Sequence, residues 1–317
     1  MLEAVSLAFS DFLLPVILLL SGIFLTLRLK FVQVRYLFQG IKNMLFAEKK
    51  ADGGVSPFAA LATSLAAQLG TGNIVGAGSA IISGGPGAVF WMWLSAFFGM
   101  SIAYCEAADA VLTRKRGTDG DVSGGAAYYI KYAFSGKWGI FFSAAFSLFA
   151  TAGLGFTGVA VQANSISLAL YEAFSVPFPV CALFVTGAAA VIILKGTRAV
   201  AAFAEKTVPL FALLYITGCL AVILMNIKNI PCALRLIFTS AFSSRALFGG
   251  ITGIGIKQAV TQGIKRGLFT NEAGMGSTPS AHALSSSENP HFQGTLGLAG
   301  VFIDTFVMLS VTALAVI

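Results

Sequence analysis

The chain has 317 residues, of which 57% are hydrophobic and only 10% charged; its mean hydropathy is +0.86. Soluble domains average about 25% charged residues, so a protein surrounded by water on every side is excluded. The net charge of +7 does not point to nucleic acid, because Lys and Arg sit in short connections between apolar runs and not along one face of a domain.

A membrane-spanning helix needs about 20 mostly apolar residues. On that measure the sequence predicts an all-α integral membrane protein with eight spans, at residues 11–29, 57–82, 88–112, 138–170, 178–196, 206–226, 247–268 and 292–317. No basic stretch precedes the first apolar run, so no cleaved signal peptide is expected. Cys105, Cys181 and Cys219 fall inside apolar runs, Cys232 does not, and no Cys-x-x-Cys pair is present. They read as packing residues, with no disulfide framework and no metal site.

Basic residues alternate between the connections. Arg28, Lys30, Arg35, Lys42, Lys49 and Lys50 follow span 1; Arg114, Lys115, Arg116, Lys131 and Lys137 follow span 3; Lys195, Arg198 and Lys206 follow span 5; Lys257, Lys265 and Arg266 end span 7. The other side carries Lys228, Arg235 and Arg245, three against seventeen. Basic residues favour the cytoplasmic side, so the N-terminus is expected outside and the connection after span 1 inside a cell membrane. Residues 31–47 alternate apolar and basic groups and read as an interfacial helix. Residues 113–137, with Asp119 and Asp121, read as an ordered loop or short re-entrant piece.

Span 2 contains Gln68-Leu69-Gly70-Thr71-Gly72-Asn73 at its centre. Each glycine weakens a helix by about 1 kcal/mol relative to alanine. A break at membrane depth frees backbone groups that cost several kcal/mol each in hydrocarbon, so something must satisfy them. Free carbonyls at the end of the first half-helix suit a cation, and free N–H groups at the start of the second suit a carboxylate. Close helix packing explains Gly76 and Gly78 as well, but not Gln68, Thr71 and Asn73. Span 7 has a second glycine-dense stretch, Phe248 to Gly255, with four glycines in eight residues. Two interrupted spans at corresponding places point to a midplane site in an inverted-repeat transporter. The chain then divides into an extra span and interfacial helix (1–56), a first five-helix repeat (57–226) and the start of a second repeat (227–317), in one transmembrane domain.

Further polar residues lie inside spans. Gln162 and Asn164 are two apart in span 4, so one reaches the site and the other a neighbouring helix. Asp304 in span 8 is an intramembrane carboxylate, a functional candidate by default, either as a cation ligand or as a proton carrier. Glu106 and Asp109 are expected to pair with basic loop residues, and Lys257 to snorkel toward the inner interface. Asn271-Glu272-Ala273-Gly274-Met275-Gly276 reads as part of an inner gate. Glu272, His282 and His291 lack metal-ligand spacing. A channel would need charged rings or a continuous polar lining, and an intramembrane enzyme a nucleophile–base pair; neither is visible.

The strings Leu69-Gly70-Thr71-Gly72-Asn73-Ile74, Gly84 to Trp93, Gln162 to Ser165, Arg266 to Ser277 and Asp304-Thr305 resemble the alanine or glycine:cation symporter family. The resemblance implies a leucine-transporter-like fold of two inverted five-helix repeats, with spans 2 and 7 as discontinuous core helices. It implies sodium-coupled uptake of a small neutral amino acid, alanine or glycine, with sodium as coupling ion and no resident cofactor. Backbone groups at Gly70, Thr71 and Gly72 would meet the substrate carboxylate. Gln162, with Gly249, Gly250, Thr252 and Gly253, would line its pocket. The Asn73 side chain and the Gln68 carbonyl would meet one sodium ion, the carbonyls of Ala66 and Leu69 another, and Asp304 would complete the first ion site. The family resembles an eleven-span protein, so spans 9 to 11 are missing here. The chain alone is therefore expected not to transport, as one piece of a split gene, a truncated frame or an incomplete sequence; a separate chain with the remaining spans is one way to supply them.

Overall fold

The computed structural model describes residues 9–46, 55–117, 122–242 and 256–317, nearly all of them helical. A π-helical turn, Phe9–Leu13, leads into α1 (Leu14–Arg28). Lys30 and Phe31, both at positive φ, turn the chain by 85° into α2 (Val32–Phe46). The expected interfacial segment thus leaves α1 nearly at a right angle. It is also fixed to the bundle: it buries Val32, Gln33 and Gly40, and Asn43 Nδ2 donates to Thr295 Oγ1 at 2.9 Å.

Helix α3 (Pro57–Gln68) starts on Ser56, whose hydroxyl accepts from the Ala59 N–H at 3.0 Å, with Pro57 in the first turn. The chain resumes as α4 (Gly72–Gly84), bent 47° from α3. Next come α5 (Ala88–Thr113), a hairpin of β1 (Lys115–Arg116) and β2 (Val122–Ser123) pairing Lys115 with Ser123, and α6 (Ala126–Ala133). The polar stretch at 113–137 is therefore mostly this hairpin and a two-turn helix; Asp119 and Asp121 lie outside the described residues. The remaining helices are α7 (Gly136–Phe174), α8 (Phe178–Ile193), α9 (Thr197–Met225), α10 (Ile230–Phe242), α11 (Ile256–Asn271), α12 (Pro279–Ala283) and α13 (Pro290–Val316).

Helix α5 is the packing centre. Gly263 and Gly267, one turn apart on α11, lie against its first half: a Cβ on Gly263 would stand 2.5 Å from Trp91 Cβ, and one on Gly267 3.0 Å from Met92 Cα. Gly294 and Gly297 of α13 lie against its second half, where added Cβ atoms would stand 2.9 Å from the Tyr104 carbonyl and 2.8 Å from that of Ala103. Small residues let helix backbones approach where lipid supplies no hydrophobic drive. Outside this core, the most apolar windows of α7 and α9 contain no buried residue. Phe141, Leu148, Phe149, Phe156, Leu210, Phe211 and Leu213 all stand exposed, a surface that suits lipid and not water.

Eight spans are expected from the sequence. Four described helices, α5, α7, α9 and α13, are long and apolar enough to cross a membrane alone, and six segments are if the bent pairs α1–α2 and α3–α4 each count once. Helices α8 and α11 have only 16 residues each, about 24 Å at 1.5 Å per residue. Helix α11 runs antiparallel to α4: Gly72 meets Thr270, and Gly84 meets Gln258 and Gln262. Lys257 therefore lies at the Gly84 end of this pair, beside the 83–87 connection that carries no basic residue.

Candidate functional site

Two helix discontinuities lie side by side. The first separates α3 from α4 at residues 69–71, where the Gly70 N–H turns back to the Gln68 carbonyl at 2.8 Å. The second follows α11: Glu272, Gly274 and Gly276 have φ of 55°, 83° and 74°, and the chain re-enters a short helix only at Pro279. Positive φ stops an α-helix, and two of these three residues are the glycine that tolerates it. The breaks touch through Gln68 Nε2, which donates to the Asn271 carbonyl at 2.9 Å, and through Thr270 opposite Gly72. This second break lies in the stretch expected to form an inner gate. The glycine-dense stretch with Gly249, Gly250, Thr252 and Gly253 lies outside the described residues.

On one side of the first break sits a buried polar cluster. Asp304 is fully buried in a π-helical stretch of α13, Phe302–Leu309. Its Oδ1 accepts from Asn73 Nδ2 at 2.6 Å and its Oδ2 from Thr305 Oγ1 at 2.9 Å. Asn73 Nδ2 also donates to the Gln68 carbonyl at 3.2 Å. That carbonyl is thus taken by two donors, and the oxygens left over are different ones. Gln68 Oε1 and Asn73 Oδ1 are buried without any partner. Buried oxygens left without a donor, with a buried carboxylate bonded to one of the two side chains, are the ligand type that hard cations take. Ala66 and Leu69 line an adjoining cavity of about 740 Å³ with Gly70, Asn73, Tyr215 and Met308.

A second cavity of about 500 Å³ opens on the other side, lined by Gln68, Thr71, Gly72, Gln162, Thr270 and Glu272 among others. Gln162, projecting from α7, is the residue of its pair that reaches the break: its Oε1 accepts from the Thr71 N–H at 3.4 Å. Gly70 leaves the room for it, since a Cβ there would stand 2.5 Å from Gln162 Nε2.

Other expectations fail. Among the described residues Glu106 pairs with no basic side chain. It accepts from the N–H groups of Gly274 and Gly276 at 2.9 and 3.1 Å and from the Tyr129 hydroxyl at 3.3 Å. Asp109 is exposed, and the ion pair found among the described residues joins Arg116 and Glu288. A long-range backbone contact of this kind has no sequence signal beyond the two glycines whose amides donate to it. Glu272, His282 and His291 take separate partners, Ser277, Gln293 and Tyr104.

Apolar helices bared to the outside, with two facing breaks and polar groups gathered between them, are those of a multi-pass membrane protein. The model of the sodium:alanine symporter family matches residues 1–317, and the chain belongs to that family. It is 40% identical over 307 residues to an uncharacterized transporter of Haemophilus influenzae, covering 96% of this chain and 66% of that protein. It is 39% identical over 307 residues to the sodium/alanine symporter AgcS of Methanococcus maripaludis, covering 94% and 66%. It is 38% identical over 306 residues to the probable sodium/glutamine symporter GlnT of Bacillus subtilis, covering 96% and 62%. The chain thus spans less than two thirds of these relatives' length. Nothing in these matches supports a separate chain carrying further spans.

Proposed function

We propose that this chain carries the ion and substrate sites of a sodium-coupled symporter for a small neutral amino acid, alanine or glycine, working by alternating access. The observation that carries this is the Asn73–Asp304 contact at 2.6 Å, with the Asn73 Oδ1 of the same amide and the Gln68 Oε1 both buried and unpartnered. A buried carboxylate without a cation is costly, and sodium there would be satisfied by oxygen ligands alone. Sodium is cargo in this scheme, and no resident cofactor is invoked.

The amino acid docks in the 500 Å³ cavity, its carboxylate toward the backbone of Gly70, Thr71 and Gly72 and its body toward Gln162. Sodium binding orders the first break before the substrate arrives. The antiparallel pairing of α4 with α11, and of the two breaks with each other, is the relation expected in an inverted-repeat, leucine-transporter-like bundle. In that arrangement the second core helix breaks at 272–278. Proton coupling is the second reading, favoured by the same fact that Asp304 has no cationic partner among the described residues.

The test is uptake of labelled alanine, glycine and glutamine into proteoliposomes holding this chain and, separately, a chain continued to its relatives' length. Uptake by the longer chain only is the outcome expected from the missing spans. A sodium gradient alone should drive accumulation of alanine or glycine. Accumulation driven by a proton gradient in sodium-free buffer would transfer the coupling to Asp304 as proton carrier. Absence of uptake under both gradients would refute transport by this chain.

A further inference from the structure

Two charged side chains, Glu106 on α5 and Arg114 on the extended residue just past its end, finish on the backbone of the segment after α11. The Glu106 carboxylate takes the N–H groups of Gly274 and Gly276, steadied by the Tyr129 hydroxyl. The Arg114 guanidinium donates to the carbonyl of Ala283 at 3.1 Å, to that of Ser285, and to that of Ser287 at 2.7 Å.

The chemistry of the two grips is complementary. Amides freed by a break need an acceptor, and a carboxylate is the strongest one; carbonyls freed past a helix end need a donor, and a guanidinium offers several in one plane. Gly274 and Gly276 at positive φ turn their amides into a concavity of the kind that binds anions, and the anion here is the protein's own. No basic side chain pairs with Glu106 among the described residues. The segment between the grips is also closely packed: a Cβ on Gly274 would stand 2.5 Å from Leu18 Cδ2, and one on Gly276 2.7 Å from Phe146 Cζ.

We infer that Glu106 and Arg114 are positioning residues that hold the segment 272–288, with its short helix α12, against the C-terminal part of α5, one at each end. They act on backbone, so they set the shape of the second break without contacting ion or substrate. Their role in turnover rests on the proposed transport function; their grip on the segment does not.

Hydrogen–deuterium exchange on the purified chain in lipid nanodiscs reads the grip directly. Glu106→Gln should speed exchange of the 272–278 amides about tenfold, the loss of charge-assisted hydrogen bonds, with α13 exchange and melting temperature unchanged. Arg114→Gln should do the same at 283–288. Unchanged exchange at 272–278, or an equal rise throughout α5 and α13, would overturn the inference. Should Glu106→Gln not fold, Tyr129→Phe decides: exchange at 272–278 should rise about threefold from one weakened bond, and no rise overturns the grip. In uptake assays Glu106→Gln should lower the maximal rate about tenfold and leave the amino-acid KM within about threefold; a KM change alone overturns the positioning role. A wild-type chain with no uptake but with the local exchange pattern loses the proposed function and keeps the grip.

Discussion

Gln68 joins the two helix breaks: its Nε2 donates to the Asn271 carbonyl at 2.9 Å, while its own Oε1 stays buried and unpartnered. The residue thus ties α3 to the end of α11 through its side chain, and its backbone carbonyl accepts from Asn73 Nδ2 at 3.2 Å. The two cavities adjoin the same break, one lined by Leu69, Gly70 and Asn73 and the other by Gln68, Thr71 and Gly72. Under the proposed function, a cation on one flank of that break orders the backbone of the pocket on the other.

Replacing Asp304 by Asn keeps the shape of the cluster and removes its charge. A unit charge about 4 Å from a cation is worth about 4 kcal/mol at an effective dielectric of 20. Sodium activation of uptake should weaken at least about tenfold, with the melting temperature in detergent unchanged or raised. Unaltered sodium dependence would remove Asp304 from the ion site.

Gly70→Ala places a methyl group 2.5 Å from Gln162 Nε2, whereas a methyl group on Gly78 would meet nothing within 4 Å. Gly70→Ala should raise the amino-acid KM by about tenfold or more, in line with about 1–3 kcal/mol of overpacking. Gly78→Ala should behave as wild type. Equal effects from both would mean that helix propensity, and not the Gln162 contact, governs this stretch.

His282 is buried beside Gln293, and burial lowers its pKa from 6.5 to about 4. Above pH 6.5 both folded and unfolded forms are neutral here, so this residue adds no pH dependence. As pH falls from 6.5 toward 4 the unfolded chain takes the proton first, and stability is lost; below 4 the loss levels off. The full loss is about 3 kcal/mol at 1.36 kcal/mol per pKa unit. Thermal melting between pH 7 and 4 should show this slope, and His282→Gln should flatten it.

Gly297→Val should destabilise the α5–α13 contact by about 2 kcal/mol or more, because the added Cβ alone would stand 2.8 Å from the Ala103 carbonyl and from Ala107 Cβ. Gly187, with open space around it, is the control on the exposed helix α8. A melting temperature that falls equally in both variants would contradict the packing assigned to α5.

Hydropathy alone determines that this is a helical membrane protein, because a chain with 10% charged residues has no way to cover its surface with polar groups. The first break was equally legible at Gly70-Thr71-Gly72, since two glycines beside polar residues weaken a helix locally whatever surrounds it. The break at 272–278 was not. Glycine density points to 249–253, which lies outside the described residues, whereas at 272–278 the freed amides are taken by Glu106, 168 and 170 residues away along the chain. Composition shows where a helix is weak; only the tertiary structure decides where the loosened backbone finds partners. The same holds for Asp304 and Asn73, 231 residues apart, each polar in the wrong place by hydropathy and reasonable only in contact.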